Sequence, residues 1–316
     1  MMDWIPTLPI IDEAARRIAP HAHRTPVLGS ATLNAMVDAE IFFKCENLQK
    51  VGAFKFRGAC NAVFSLSDAE AANGVATHSS GNHAQALALA ARLRGIPAYI
   101  VMPSNAPGIK KAAVEDYGAV IRFCEPTLQA REDTLDAVVA ETGAAFVHPY
   151  NDERIIAGQA TAARELIEDV PDLDIILAPV GGGGLLSGTA LSAHYAGHDI
   201  TVYAAEPEGA DDAKRSLDAG KIIPSVNPDT IADGLLTSLG EKTFAIIREY
   251  VRDIVTVPDE ETIRAMRFIW ERMKIVVEPS AAVAPAAIMH GRLPVKGKRI
   301  GVILSGGNVD LGRLPW

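Results

Sequence analysis

A lysine set between two aromatic rings, Phe54-Lys-Phe-Arg-Gly58, is the segment whose residue types best suit covalent chemistry. A lysine reaching into an apolar site has its amine favoured as the neutral form, which is what a Schiff-base nucleophile needs. If the segment is extended, a period of two puts Phe54 and Phe56 on one side and Lys55 on the other. Three glycine-marked loops accompany it. Gly181-Gly-Gly-Gly-Leu185 follows an apolar strand and precedes a helix. Without Cβ atoms several backbone N–H groups can converge on one anion, and the helix N-terminus adds positive potential. The loop holds no Lys or Arg, so it suits a small phosphate gripped by backbone. Its spacing matches neither G-x-G-x-x-G nor the ending of a P-loop. Ser305-Gly-Gly-Asn308 follows a second apolar strand. Ser79-Ser-Gly-Asn-His83 lies between a short apolar strand and a helix, where hydroxyls and N–H groups suit a carboxylate. Taken singly, each segment has a plain structural reading: a strand-end lysine, a tight turn, an ordinary N-cap.

The elements that must position these groups alternate along the chain. Ile41–Cys45, Ala98–Met102, Val120–Cys124, Ala145–Val147, Ile175–Val180, Thr201–Ala205 and Ile300–Leu304 are expected strands. Helices are expected over Ala84–Arg94, Gly108–Tyr117, Leu128–Glu141 and Asp152–Asp169. Strands apolar on both faces and alternating with helices imply parallel sheets covered on both sides. Ligands of such sheets collect at the carboxyl ends of strands, so the loops are expected to face one cleft.

Bulk properties narrow the class. At 316 residues the chain is long enough for two lobes, because single cores stop growing near roughly 250–300 residues. A net charge of −9 argues against a nucleic-acid partner. No Lys/Arg cluster suits anionic lipid, and the alanine-rich stretch from Ala84 is soon broken by Arg92 and Arg94, too short to span a bilayer. The three cysteines, Cys45, Cys60 and Cys124, suggest reduced thiols rather than a disulfide framework. The N-terminus lacks a signal pattern. A soluble cytoplasmic protein is expected.

In this order and spacing the four segments resemble the fold-type II pyridoxal-phosphate (PLP) enzymes, in the branch of serine racemases and serine/threonine or 3-hydroxyaspartate dehydratases. The resemblance runs from about Thr25-Pro-Val27 to Leu311. It also rests on Cys45-Glu-Asn-Leu-Gln49, Gly95-Ile-Pro-Ala-Tyr99, Ala205-Glu-Pro207, Ile231-Ala-Asp-Gly234 and Trp270-Glu-Arg-Met-Lys274. It implies a two-lobed α/β fold with a small domain over 74–150, a large PLP-binding domain over 1–73 and 151–316, and a homodimer. The implied cofactor residues are Lys55, Phe54, Asn82, Gly181, Gly182, Gly183, Gly184, Leu185 and Ser305. Lys55 would bind the cofactor covalently and take the Cα proton, Asn82 would meet the pyridine 3-oxygen, and Ser305 the pyridine nitrogen. Ser79, Ser80, Gly81, Asn82 and His83 would hold the substrate carboxylate. A neutral hydroxyl at the ring nitrogen makes a weaker electron sink than a carboxylate would, which favours expelling a β-leaving group. The implied reaction is therefore β-elimination from serine, threonine or 3-hydroxyaspartate, giving a 2-oxo acid and ammonia. The alternative is an amino-acid racemase with elimination as a side reaction, for which Ser80 would be the second acid/base.

Further implied features are a divalent-cation site (Mg²⁺, Mn²⁺ or Ca²⁺) at Glu206, the Ala210 carbonyl and Asp212, and a cleft-facing Arg131 suited to a second substrate carboxylate. A solvated acidic loop and a solvated helix arginine are the competing readings. Val51, Ala31 and Tyr150 depart from the animal racemases, which argues against ATP regulation and for an altered substrate preference. No C-terminal regulatory domain is expected after Trp316. His21 and His23 are expected to be surface residues. A non-catalytic phosphate-binding protein is disfavoured by Lys55, and a nicotinamide dehydrogenase by the glycine spacing.

Overall fold

Every position of Ile175–Pro179 is buried, as a strand covered on both faces must be. In the computed structural model, which describes residues 4–316, this strand is β7 of a six-stranded sheet. In spatial order the sheet runs β1 (Val27–Gly29), β2 (Glu40–Cys45), β10 (Arg299–Leu304), β7, β8 (Thr201–Pro207) and β9 (Asp253–Val257). All neighbours are parallel except β1, which is antiparallel to β2. A second sheet, ordered β5 (Val120–Cys124), β4 (Ala98–Pro103), β3 (Val75–His78) and β6 (Ala145–Phe146), is parallel throughout. The chain leaves the first sheet after β2, builds the second, and returns at β7.

The helices follow the periodicity seen in the sequence, with ends shifted by one or two residues. The helix after β3 begins at Asn82, and that after β6 spans Glu153–Asp169. The extended reading of Phe54-Lys-Phe56 is overturned. Ala53 is extended and bridges to Gly306, but Phe54 has helical angles and Lys55 opens a helix over Lys55–Ser65. Its face from Phe56 to Val63 is buried against the helices Asn82–Arg94 and Glu153–Asp169. Burial by remote helices outweighs the local alternation of aromatic and charged residues. Lys55 therefore separates from Phe54 and Phe56 by helical rotation, not by strand pleat.

Two helices unforeseen in sequence, Leu8–Ile18 and Pro279–Met289, cover the large sheet's surroundings. All three cysteines are free, and burial pushes the Cys45 and Cys60 thiols up to about 12, so neither is a reactive thiolate. His21 stacks on Phe64 and the His23 ring lies 3.2 Å from the Leu48 carbonyl, structural roles in both cases. No described helix is long and apolar enough to cross a membrane.

Candidate active site

The start of the Lys55–Ser65 helix fixes the lysine. Phe54 N–H donates to the Ser305 carbonyl at 3.0 Å, joining this turn to the loop after β10. The Lys55 amine donates to the Pro149 carbonyl at 3.0 Å and lies 5.2 Å from the Phe54 ring centroid. Although the residue as a whole is only half-buried, packing around the amine lowers it to about 8, against a smaller opposing pull from Glu278. A neutral nucleophile is thus accessible near physiological pH.

The tetraglycine loop connects β7 to the helix Gly184–His194. Gly183 has φ of +88°, and a Cβ on Gly182 would lie 2.4 Å from the Tyr150 ring. Side chains are excluded at both points. The Thr243 hydroxyl donates to the Gly182 carbonyl at 2.8 Å, which turns that carbonyl to one side. Among the described residues no backbone acceptor takes the N–H of Gly182, Gly183, Gly184 or Leu185. These donors, at a buried helix N-terminus, fit a phosphate.

Ser79, Ser80 and Gly81 lie between β3 and the helix Asn82–Arg94. Gly81 is the N-cap and no side chain caps the helix, so the serines do not serve as caps. The Ser79 hydroxyl accepts from Gly81 N–H at 3.3 Å. Three histidines behind the loop stay neutral at pH 7. His83 is fully buried and held well below the usual histidine range by burial and by Lys55. His148 is lowered to about 4 by burial and by His78, and His78 is itself lowered by burial. The His148 Nδ1 accepts from Tyr150 N–H at 3.2 Å and Asn151 N–H at 2.9 Å, which puts its proton on Nε2.

Sequence reasoning missed Glu278. This carboxylate precedes the helix Pro279–Met289 and is 4% exposed. It accepts from Asn82 Nδ2 at 3.0 and 3.2 Å and from Asn308 N–H at 3.1 Å. Asn308 Nδ2 in turn donates to Asn82 Oδ1 at 2.9 Å and to the Val51 carbonyl at 2.7 Å. Because the Asn308 amide donates to Asn82 Oδ1, the Asn82 amide is oriented with its NH₂ toward Glu278. Burial, and then Asp233, raise Glu278 to about 7, while the Asn82 and Asn308 donors oppose the shift. The sequence signal was a charged residue closing the apolar run Ile275-Val-Val277 just before Pro279.

Arg131 stands in the first turn of the helix Leu128–Thr142. Its Nε is buried without a hydrogen-bond partner. Burial lowers His78, the residue immediately before Ser79, with Glu132 opposing and Arg131 adding to the shift. Glu206 and Asp212 sit at the carboxyl end of β8, beside Ala210, all three buried. Glu206 accepts from Ala213 N–H and Lys214 N–H at 2.9 Å each, and burial raises it to about 8. Neither carboxylate oxygen of Asp212 meets a donor in hydrogen-bond geometry, the Ser225 hydroxyl nearby included, and burial raises this group to about 6. Two buried carboxylates, one of them unpartnered, fit an oxygen-liganded cation. Among the described residues no group of three or more His, Cys, Asp or Glu converges as a metal cluster.

Residues 18–306 match the family model described as pyridoxal-phosphate dependent enzyme. The chain belongs to that family. It is 54% identical to the β-hydroxyaspartate dehydratase of Paracoccus denitrificans over 99% of either chain. It is 49% identical to the L-threo-3-hydroxyaspartate ammonia-lyase of Saccharomyces cerevisiae, covering 98% of this chain and 95% of that one. The crystal structure of serine racemase from Dictyostelium discoideum superposes with a TM-score of 0.94 at 48% identity, covering 98% of this chain and 100% of the other. The fold is the fold-type II α/β architecture, and the cofactor is PLP.

Proposed function

We propose that this protein eliminates water from a small 3-hydroxy amino acid, 3-hydroxyaspartate foremost, to give a 2-oxo acid and ammonia. The observation that carries the reading is the Lys55 amine, enclosed and lowered to about 8, between a phosphate-fitting loop and a carboxylate-fitting loop. When bound, PLP withdraws electrons from the Cα of an amino acid joined to its aldehyde carbon.

The chain's own residues do the rest. The N–H groups of Gly181, Gly182, Gly183, Gly184 and Leu185 hold the phosphate. Phe54 would pack beside the ring, Asn82 would meet the ring 3-oxygen, and the Ser305 hydroxyl would meet the ring nitrogen without carrying charge. Ser79, Ser80 and the loop through Gly81, Asn82 and His83 grip the substrate carboxylate. Lys55 in its neutral form would take the proton from Cα, and the Cβ hydroxyl, once protonated, would leave as water; the enamine product then tautomerises to an imine that takes up one water to give the 2-oxo acid and ammonia. Arg131 pairs with a distal carboxylate, as the names of the two hydroxyaspartate-acting relatives support. A second reading, racemisation, is favoured by the Ser80 hydroxyl, which has no capping duty and could serve as the opposite-face acid/base.

Glu206, the Ala210 carbonyl and Asp212 would hold Mg²⁺, Mn²⁺ or Ca²⁺. The ion would neutralise two buried carboxylates and pin the end of β8 to the turn after it. We further infer two lobes, 74–150 and the flanking 1–73 with 151–316, with the site between them, acting as a cytoplasmic homodimer. The test is a panel of serine, threonine and 3-hydroxyaspartate with 2-oxo acid detection, run on the wild type and Lys55→Ala. Loss of both turnover and the visible cofactor band is expected in the variant. Turnover near the wild-type rate without Lys55 would defeat the reading.

A further inference from the structure

Two residues of the lysine segment, Arg57 and Gly58, have no part in the chemistry proposed above. Arg57 has no exposed surface. Its Nε and Nη2 donate to Glu46 at 2.7 and 2.8 Å, and its Nη1 and Nη2 donate to Glu165 at 2.8 Å each. Nη1 also reaches the Thr161 hydroxyl at 3.2 Å, and Nη2 the His23 carbonyl at 3.3 Å. The carboxylates are held in their turn. The Thr25 hydroxyl donates to Glu46 at 2.6 Å, and the buried Lys44 amine lies 2.7 Å from Glu165. Two cations face two carboxylates, so the cluster leaves no buried charge unbalanced.

Gly58 completes the joint. A Cβ there would sit 2.4 Å from the Gln159 amide nitrogen and 3.0 Å from the Ile155 carbonyl. A Cβ on Gly158, opposite, would come within 2.6 Å of Gly58 Cα. The Lys55 helix and the Glu153–Asp169 helix therefore touch backbone to backbone just after the lysine. At 3.6 residues per turn, side chains two apart leave a helix roughly 200° apart. Lys55 and Arg57 thus depart on opposite sides, one into the cleft and one into the ion cluster.

We infer that Arg57 is a positioning residue for Lys55. Its guanidinium, gripped by carboxylates from two elements, sets the rotation of the helix's first turn. Gly58 sets the depth of that turn against the neighbouring helix. Together they aim the amine at the Pro149 edge of the cleft. The inference rests on the reading of Lys55 as the lysine that binds the cofactor. Lysine at 57 keeps the charge but cannot hold two carboxylates as a planar fork does.

The test compares Arg57→Lys with Val63→Ala, a buried position further along the same helix, as a destabilised control, both as holoenzyme. Visible circular dichroism of the bound cofactor, kcat and KM are measured on protein matched for cofactor content. In Arg57→Lys the dichroic band should change amplitude and kcat should fall about tenfold, with KM moving less than about twofold, since the loss is one of orientation. Val63→Ala should lower Tm and leave all three unchanged. A dichroic band and kcat in Arg57→Lys equal to those of Val63→Ala would overturn the inference. Should Arg57→Lys not fold, Glu46→Gln carries the same comparison, because it keeps the shape of one acceptor and removes its charge. A wild-type cofactor band in Lys55→Ala would instead show that the reading of Lys55 is at fault.

Discussion

Replacing Glu278 with glutamine should alter how stability depends on pH, and the structure gives both the sign and the size. Burial is the largest cause raising this carboxyl from the ordinary 4.5 to about 7, with Asp233 adding to it. Between those two values the folded state binds more protons than the unfolded state, so stability falls as pH rises. The contribution is fully present below about 4.5 and lost as pH passes about 7. At 1.36 kcal/mol per pKa unit the window carries about 3 kcal/mol. The amide introduced by Glu278→Gln cannot titrate. It instead sets a second NH₂ against the donors of Asn82 or Asn308, a penalty that does not vary with pH. Urea unfolding of the cofactor-free proteins, followed by far-UV circular dichroism at about pH 5 and about pH 8, isolates the difference. Glu206 and Asp212 are also raised, but they titrate alike in both proteins and cancel. The wild type should lose about 2.5 kcal/mol relative to the variant over that interval, because part of the window lies below pH 5. Parallel pH profiles would mean that Glu278 titrates normally and would refute the dominance of burial over its Asn82 and Asn308 donors.

Three other outcomes are expected. Ser80→Ala should abolish conversion of L- to D-amino acid, measured by chiral chromatography, while 2-oxo acid formation from the L-substrate stays within about threefold; equal loss of both would give the hydroxyl another role. Arg131→Ala should lower kcat/KM on 3-hydroxyaspartate by roughly ten- to a hundredfold and on serine far less, with cofactor content unchanged. Removing divalent cations with a chelator should lower Tm, by the equivalent of about 2.7 kcal/mol where the ion stood at a hundred times its Kd. Asp212→Asn should be insensitive to chelation, and an equal response would place the ion elsewhere.

The parts of the site that could be read in sequence are those made locally. A glycine run after an apolar strand forms one loop within a few residues, and its chemistry travels with it. The serine loop and Ser305-Gly-Gly-Asn308 are legible for the same reason. What was not legible depends on partners far along the chain. Phe54-Lys-Phe56 alternates like a strand, yet the helix wins because its buried face meets residues about a hundred positions away on the Glu153–Asp169 helix. Glu278 meets Asn82 across 196 residues, and no spacing rule spans that interval. The flat packing of Tyr150 on Gly182 is hidden likewise, although its place beside Pro149 puts it next to the lysine's acceptor.

The electrostatics of the cleft bear directly on which substrate it takes. Its histidines are all held neutral, with His148 down to about 4 and His83 well below its usual range. Lys55 is lowered toward neutrality, and Ser305 brings no charge to the end of β10. Such a site would bind one carboxylate through hydroxyls and N–H groups, which serine or threonine would satisfy. A second carboxylate needs a cation, because hydrogen bonds from neutral groups are roughly half as strong as charge-assisted ones. Arg131 carries a guanidinium whose buried Nε has no hydrogen-bond partner, and under the proposed function it would supply that cation. Under the proposed function, Arg131 is therefore the residue that would decide between a monocarboxylate and a dicarboxylate substrate.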